Sequence, residues 1–319
     1  MKIPFLSAIL SRPAHRQTGW ISICVNSRGV YFAHIQRNGD VPQVLHCSFH
    51  PSSNVTAANL EKLRKDLHIG NFQFTTLLSS GEYQMLMVEA PNVPVEEFRT
   101  AIKWSIKDSL SYRVEDASVD VLQIPPNKSA SDRPKSLYAI AAQNTIVMKY
   151  VELFNRAKID LKVIDIPETA QRNIAALYEE EGRGLALLAF DDSGGMLTFT
   201  NEGELILARH LEVTVGQLQD ADERAREQYL DRVELELQRS MDYFGRQFHH
   251  ISLKRLLVSS PAHLGLVQRL SSSVDLPVER LDLTQVLNIS AAPELADSEY
   301  AAHLLPALGA ALRYEGPAL

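Results

Sequence analysis

The sequence predicts an α/β protein of two lobes built from one chain pattern used twice, with a smaller α+β unit set between the copies. Three observations predict it. A triplet of strands joined by glycine-containing turns begins at Trp20, and a second begins at Leu185. A long amphipathic helix and then a short apolar strand follow each triplet, the alternation that builds an α/β lobe. The stretch between the copies carries a strand and helix pattern that the repeat does not contain.

The first triplet lies in "WISICVNSRGVYFAHIQRNGDVPQVLHCSF". A strand spans Trp20–Val25, a connector Asn26–Gly29 and a second strand Val30–Gln36. Asn38-Gly39 turns the chain into a third strand, Val41–Phe49. The second triplet is "LALLAFDDSGGMLTFTNEGELILARH", Leu185 to His210. Its apolar run stops at Asp191, Asp192, Ser193, Gly194 and Gly195, resumes with alternating apolar residues, and meets the hairpin signal Asn201-Glu202-Gly203. Helix patterns follow at Ala57–Leu67 and Ala221–Phe248, then the strands "FQFTTLLSS" and "LKRLLVSS". In the longer helix Leu230, Val233, Leu237, Met241, Phe244 and Phe248 form one stripe, expected to face the second lobe's core.

Between the copies, Pro94 with Glu96 and Glu97 marks a helix start, where proline and carboxylates are favoured. Phe98, Ala101, Ile102, Ser105, Ile106 and Ser109 then share a face, and Trp104 points away from it. The segment "PPNKSASDRPKS", Pro125 to Ser136, is expected to be a polar, mobile hairpin tip.

Composition narrows the function classes. The 319 residues are 45% hydrophobic and 22% charged, ordinary for a globular protein, and the net charge of -7 gives no basic field for nucleic acid. Cys24 and Cys47, the two cysteines, both fall in predicted strands and are expected to be small core residues in a reducing compartment. No apolar run approaches the roughly 18–20 residues of a membrane span. The opening "MKIPFLSAILSRPAHR" lacks a small-residue cleavage site and is expected to be a packed or disordered terminus, with a membrane- or partner-touching amphipathic helix as the alternative.

Common catalytic signatures are absent: no Gly-x-x-x-x-Gly-Lys-Ser/Thr, Gly-x-Ser-x-Gly, His-Glu-x-x-His or Cys-x-x-Cys occurs. His46 and His50 sit on a strand, about 13 Å apart, too far to share a metal. His249 and His250 follow a long helix and suit its C-terminal dipole. No metal site is expected.

Several stretches carry a family resemblance. "EAPNVPVEEFRTAIKWSIKDSLSYRVEDASVDVLQIP" resembles the segment of PilM-type pilus assembly proteins in which a proline-led helix precedes an acidic loop and an Asp-containing strand. "KYVELFNRAKIDLKVIDIPETAQRNI" is similar to that family's helix and strand continuation, with Asp165 and Arg172 at the matching places. "LELQRSMDYFGRQF" and "LLPALGAALR" resemble its Gln-Arg-Ser helix and closing Gly-Ala stretch. Within the group, the resemblance is strongest to the branch that serves mannose-sensitive haemagglutinin (MSHA) pili.

The resemblance implies a two-lobed actin-like fold, ribonuclease H-like and duplicated, related to that of the cell-division protein FtsA. The implied layout is a first lobe at 1–82, an inserted subdomain at 83–158, a return segment at 159–182, a second lobe at 183–300 and a C-terminal helix at 301–319 packing back on the first lobe. It also implies a cytoplasmic protein at the inner-membrane face of a Gram-negative bacterium, bound to the cytoplasmic tail of a PilN-like subunit and to other pilus assembly proteins.

An actin-like ATPase cradles phosphates with backbone N–H groups of two connectors, and its carboxylates hold the magnesium shell. Against the family pattern, Cys24 stands at the first connector's Asp and Asn26 at its Gly, followed by Ser27 and Gly29. In the second connector Ala189 stands at the Asp and Asp191 at the Gly, although a two-residue slip would let Asp191 serve as the Asp, and Ser259-Ser260 replace a Gly-Gly pair near the adenosine pocket. The expectation is a degenerate nucleotide site made of these residues with Asp192, Ser193, Gly194 and Gly195, in a scaffold that does no ATP chemistry; an ATP- and magnesium-binding switch is the alternative. Phe98, Ile102, Trp104 and Tyr112 are the candidate partner contacts.

Overall fold

Strands Trp20–Asn26 (β1), Gly29–Gln36 (β2) and Gln43–Pro51 (β3) form an antiparallel triplet because Asn26 pairs with Gly29 across a two-residue turn. The third strand starts two residues later than the sequence predicts. Pro42 has no N–H to give to a ladder, and Val41 is left exposed. The computed structural model describes residues 19–313 apart from 38, 40, 69–71, 126–135, 221 and 262–263. The N-terminal segment, most of the Pro125–Ser136 loop, Asn38 and Ala221 lie outside the described residues.

Helix α1 (Ala57–Asp66), held at its start by a reciprocal Thr56–Asn59 cap, leads into β4 (Gln73–Leu77), which lies parallel to β1. With β8 (Leu161–Asp165) the first sheet has the order β3-β2-β1-β4-β8. In the second lobe β9 (Gly184–Asp191), β10 (Gly194–Asn201), β11 (Glu204–Leu211), β12 (Leu253–Ser259) and β13 (Val278–Arg280) repeat it as β11-β10-β9-β12-β13. The hairpin signal at Asn201-Glu202-Gly203 becomes a tight turn with Glu202 at φ 55° and Gly203 at φ 76°.

Alternation along the strands sorts three cores, an outer one in each lobe and an inner one that the lobes share. Ile21 and Ile23 of β1 pack with Leu60 of α1 and Phe154 of α3 (Asn144–Arg156) on the outer face. Cys24 turns to the inner face, against the two helices that join the lobes, α4 (Pro167–Ala175) and α8 (Ser298–Ala311). In β9, Ala186, Leu188 and Phe190 face α6 (Glu223–Gln247) while Leu185 and Leu187 join Cys24 in the shared inner core. The α6 stripe read from the sequence is buried at Leu230, Val233, Leu237 and Phe244. The short helices α5 (Val215–Leu218) and α7 (Leu266–Ser271) complete that layer.

The intervening unit is a three-stranded antiparallel sheet of β5 (Tyr83–Glu89), β6 (Ala117–Gln123) and β7 (Ser136–Gln143), in the order β5-β7-β6, with α2 (Phe98–Ser105) on one face. Its other face meets β11, where the Tyr138 hydroxyl donates to the Ile206 carbonyl at 3.1 Å and Tyr138 packs on Leu205. Helix α3, the last element of the 83–158 unit, packs on β6 and β7, and its buried Tyr150 and Phe154 also complete the first lobe's outer core.

A candidate interlobe site with self-capped turns

The turn after β1 is Ser27-Arg28, and the turn after β9 is Asp192-Ser193. Asn26 and Asp191 occupy the same place in the two repeats, each paired with the glycine that opens the next strand. Those glycines answer a backbone demand. A Cβ on Gly29 (φ 149°) would lie 2.1 Å from the His50 carbonyl oxygen, and one on Gly194 (φ 142°) 2.5 Å from that of Leu211. Gly195 is also needed for packing, since its Cβ would lie 2.7 Å from the Phe190 ring.

The polar side chains at both turns are used locally. Asp191 Oδ1 accepts from Ser193 N at 2.8 Å, Ser193 Oγ at 2.5 Å and Gly194 N at 3.2 Å. Asn26 Oδ1 accepts from Arg28 N at 2.9 Å. Both are Asx turns, in which a side chain takes the N–H groups that an open turn would present outward. Arg28 then reaches across to pair with Asp192, so one ion pair joins the two lobes' turns. Both partners are about half exposed, at 45% and 52%.

Cys24 is buried in the shared core, and burial pushes its thiol up to about 12. It stays protonated at neutral pH and serves as a packing group. Ser259 pairs in parallel register with Ala189, which sets the end of β12 beside the end of β9. Ser259 and Ser260 are both buried there.

Below the turns, α4 carries the densest polar contacts. Asp165, at the end of β8, accepts from Ile166 N at 3.0 Å and from the Thr169 hydroxyl, and pairs with Arg313. Gln171 Nε2 lies 2.8 Å from the Leu187 carbonyl oxygen and 3.0 Å from both the Met196 carbonyl oxygen and Thr198 Oγ1, clamping the β9–β10 hairpin. Glu168 is 1% exposed. It accepts from the Tyr83 hydroxyl at 2.5 Å and meets His210 Nε2 at 2.8 Å. The Glu168 hydrogen bond raises the His210 pKa, and burial raises that of Tyr83. One carboxyl group thus ties the inserted sheet, the connecting helix and the second lobe.

No family model matches the chain, and no curated protein matches it. Among solved structures, "PilM-PilN type IV pilus biogenesis complex" superposes with a TM-score of 0.73 at 16% identity, covering 93% of this chain and 98% of that one. The fold is actin-like. Two sheets of identical strand order, with α4 and α8 packed in the core between them, are the features behind that statement. A Bacteroides thetaiotaomicron protein with an actin-like ATPase fold and unknown function matches at a TM-score of 0.48 and 12% identity, over 86% of this chain and 93% of that one. The cytoplasmic domain of EpsL, an inner-membrane component of the Vibrio cholerae type II secretion system, matches at 0.45 and 11%, over 81% and 97%.

In this actin-like chain the four candidate partner contacts do not share a surface. Phe98 and Ile102 are buried between α2 and the inserted sheet, which removes them as contacts. The helix has to bury its apolar stripe, and its own sheet supplies the cover. Trp104 is 54% exposed on the opposite side. Tyr112 is half-buried, and its hydroxyl has no hydrogen-bond partner among the described residues. Sequence reasoning missed Arg28, Glu168, Gln171 and His210. The run "PETAQRN" did hold a signal, since Glu, Thr, Gln and Asn crowd the start of a helix between two apolar strands.

Proposed function

We propose that the chain is a cytoplasmic scaffold of a type IV pilus assembly platform that holds the cytoplasmic tail of a PilN-like inner-membrane subunit without ATP hydrolysis. The self-capped turns carry this reading. A phosphate cradle needs turn amides that are free to donate, and here Asp191 and Asn26 already take them while Arg28 and Asp192 pair between the turns. On this reading the first connector supplies no ligand for a magnesium nucleotide. Magnesium prefers oxygen donors, and the first connector offers a buried thiol at Cys24 where the family pattern has Asp.

Likeness over nearly the whole chain to a chain of a PilM-PilN type IV pilus biogenesis complex supports the PilN-like partner. Within the group, the stretches quoted above point to MshI, the MSHA pilus member, as the counterpart. Membrane association then runs through the partner at the inner-membrane face. No helix among the described residues is long and apolar enough to cross a membrane. Trp104 remains the proposed contact on the inserted unit, with other pilus assembly proteins as further partners.

Titration of the purified protein with magnesium-ATP, by calorimetry with a thermal-shift check, tests the reading. The expected outcome is no heat and no shift; ligand at about a hundred times its dissociation constant would otherwise add roughly 2.7 kcal/mol of apparent stability. A PilN-like tail should be captured equally with and without ATP. Strict dependence of capture on ATP would replace the scaffold with a nucleotide switch.

A further inference from the structure

A cavity of about 280 Å³ opens between the end of β11 and the C-terminal half of α6, its residue Leu211 paired with Gly195 beside the second turn. Arg209, Arg239 and Arg246 line it, together with His210 and Tyr243. The one carboxyl group in its lining is Glu236, which pairs with Arg239 at 2.9 Å. Arg209 lies over the Tyr243 ring, its guanidinium carbon 4.5 Å from the ring centre, and forms no ion pair with a described carboxylate. Arg246 is exposed on α6 and likewise forms none. Three other arginines of this lobe are paired: Arg232 with Glu212, Arg255 with Glu279, and Arg269 with Glu227, Asp231 and Glu234.

From this geometry we propose that the cavity is a binding site for a phosphate group. Among the lining residues three guanidinium groups face one carboxylate, an excess of two positive charges on the arginine side, while Glu168 and Asp191 act on the His210 side, in a chain whose net charge is -7. A phosphate monoester dianion balances them. Its tetrahedral oxygens suit several guanidinium forks at once, and the ring stacked under Arg209 holds one of those forks in place. The volume falls just below the range of about 300–1,000 Å³ typical of small-molecule pockets, which favours a compact anion over a whole nucleotide. His210 links the site to the fold, because its ring also meets the buried Glu168 of the connecting helix. A phosphate there sits beside the contact that joins the second lobe, α4 and the inserted sheet. The phosphate group can come from a soluble phosphate or from a lipid headgroup.

The test uses the full chain and two single variants, Arg209→Gln and Arg246→Gln. Both positions are exposed, and unchanged melting temperatures in buffer will confirm that each folds. One arm titrates inorganic phosphate, with sodium chloride at matched ionic strength as control. The other measures flotation with phosphatidylcholine vesicles, with and without phosphatidic acid. The expected result is binding by the wild type in at least one arm, weakened by about tenfold or more in each variant, the loss of one charge-assisted contact. Response to inorganic phosphate assigns a soluble ligand, and response to phosphatidic acid vesicles alone assigns the headgroup. The proposal is overturned by no binding in either arm, by variants that bind as well as the wild type, or by a response to phosphate that chloride reproduces.

Discussion

Asp191 and Asp192 are neighbours with different employment: the first closes its own turn, and the second reaches Arg28 in the other lobe. The Arg28–Asp192 pair is half exposed, so its worth is small. A double-mutant cycle with Arg28→Ala and Asp192→Ala should give a coupling of roughly 0.2–1 kcal/mol in urea denaturation, falling as salt is raised. His210 makes a pH-dependent contribution. Its folded pKa is raised above the ordinary 6.5 by the Glu168 hydrogen bond, so the stabilisation is full below that value and is lost as pH rises through the folded pKa. The stability gap between wild type and His210→Asn should therefore be largest near about pH 5.5 and shrink toward pH 8, followed by chemical denaturation at each pH. The types of the turn residues were legible in the sequence. Their partners were not, because Arg28 and Asp192 lie 164 residues apart in the chain.

At the scale of elements, α4 and α8 cross with their backbones in close approach. A Cβ on Gly309 would lie 2.2 Å from the Ala170 carbonyl oxygen, and backbone on that side cannot step aside as a flexible side chain would. Gly309→Ala should cost about 1–3 kcal/mol, read as a lower urea midpoint. The contact of the inserted sheet with the second lobe is gentler. Tyr138→Phe removes the hydroxyl that meets the Ile206 carbonyl and should cost about 1 kcal/mol in the same assay. Helix α6 was readable because its buried stripe recurs at helical spacing. The place of α3 was not: its amphipathic pattern suits any apolar surface, and only packing shows that Phe154 meets Ile21 and Leu60.

For the whole molecule, the proposed scaffold role predicts that partner capture and stability can be separated. Trp104 is exposed and sits on the face of α2 turned away from the inserted core, so Trp104→Ala should leave the melting temperature within about 2 °C. The same change should weaken capture of a PilN-like tail about tenfold or more, measured by calorimetry. Unchanged capture would move the contact elsewhere on the inserted unit.

The chain pattern by itself determined the strand triplets, the turns between them, the duplicated α/β plan and the core face of α6. Those features depend on residues close in sequence, where alternation, helical spacing and Gly or Asn signals act locally. Tertiary structure alone decided that α3 closes the first lobe's outer core and that Phe98 and Ile102 are covered by their own sheet. It also placed Glu168 between Tyr83 and His210, and Arg209 beside Arg239 and Arg246. Each of these is a contact between distant segments. Burial and charge there follow from which surfaces meet, and no local pattern encodes that meeting.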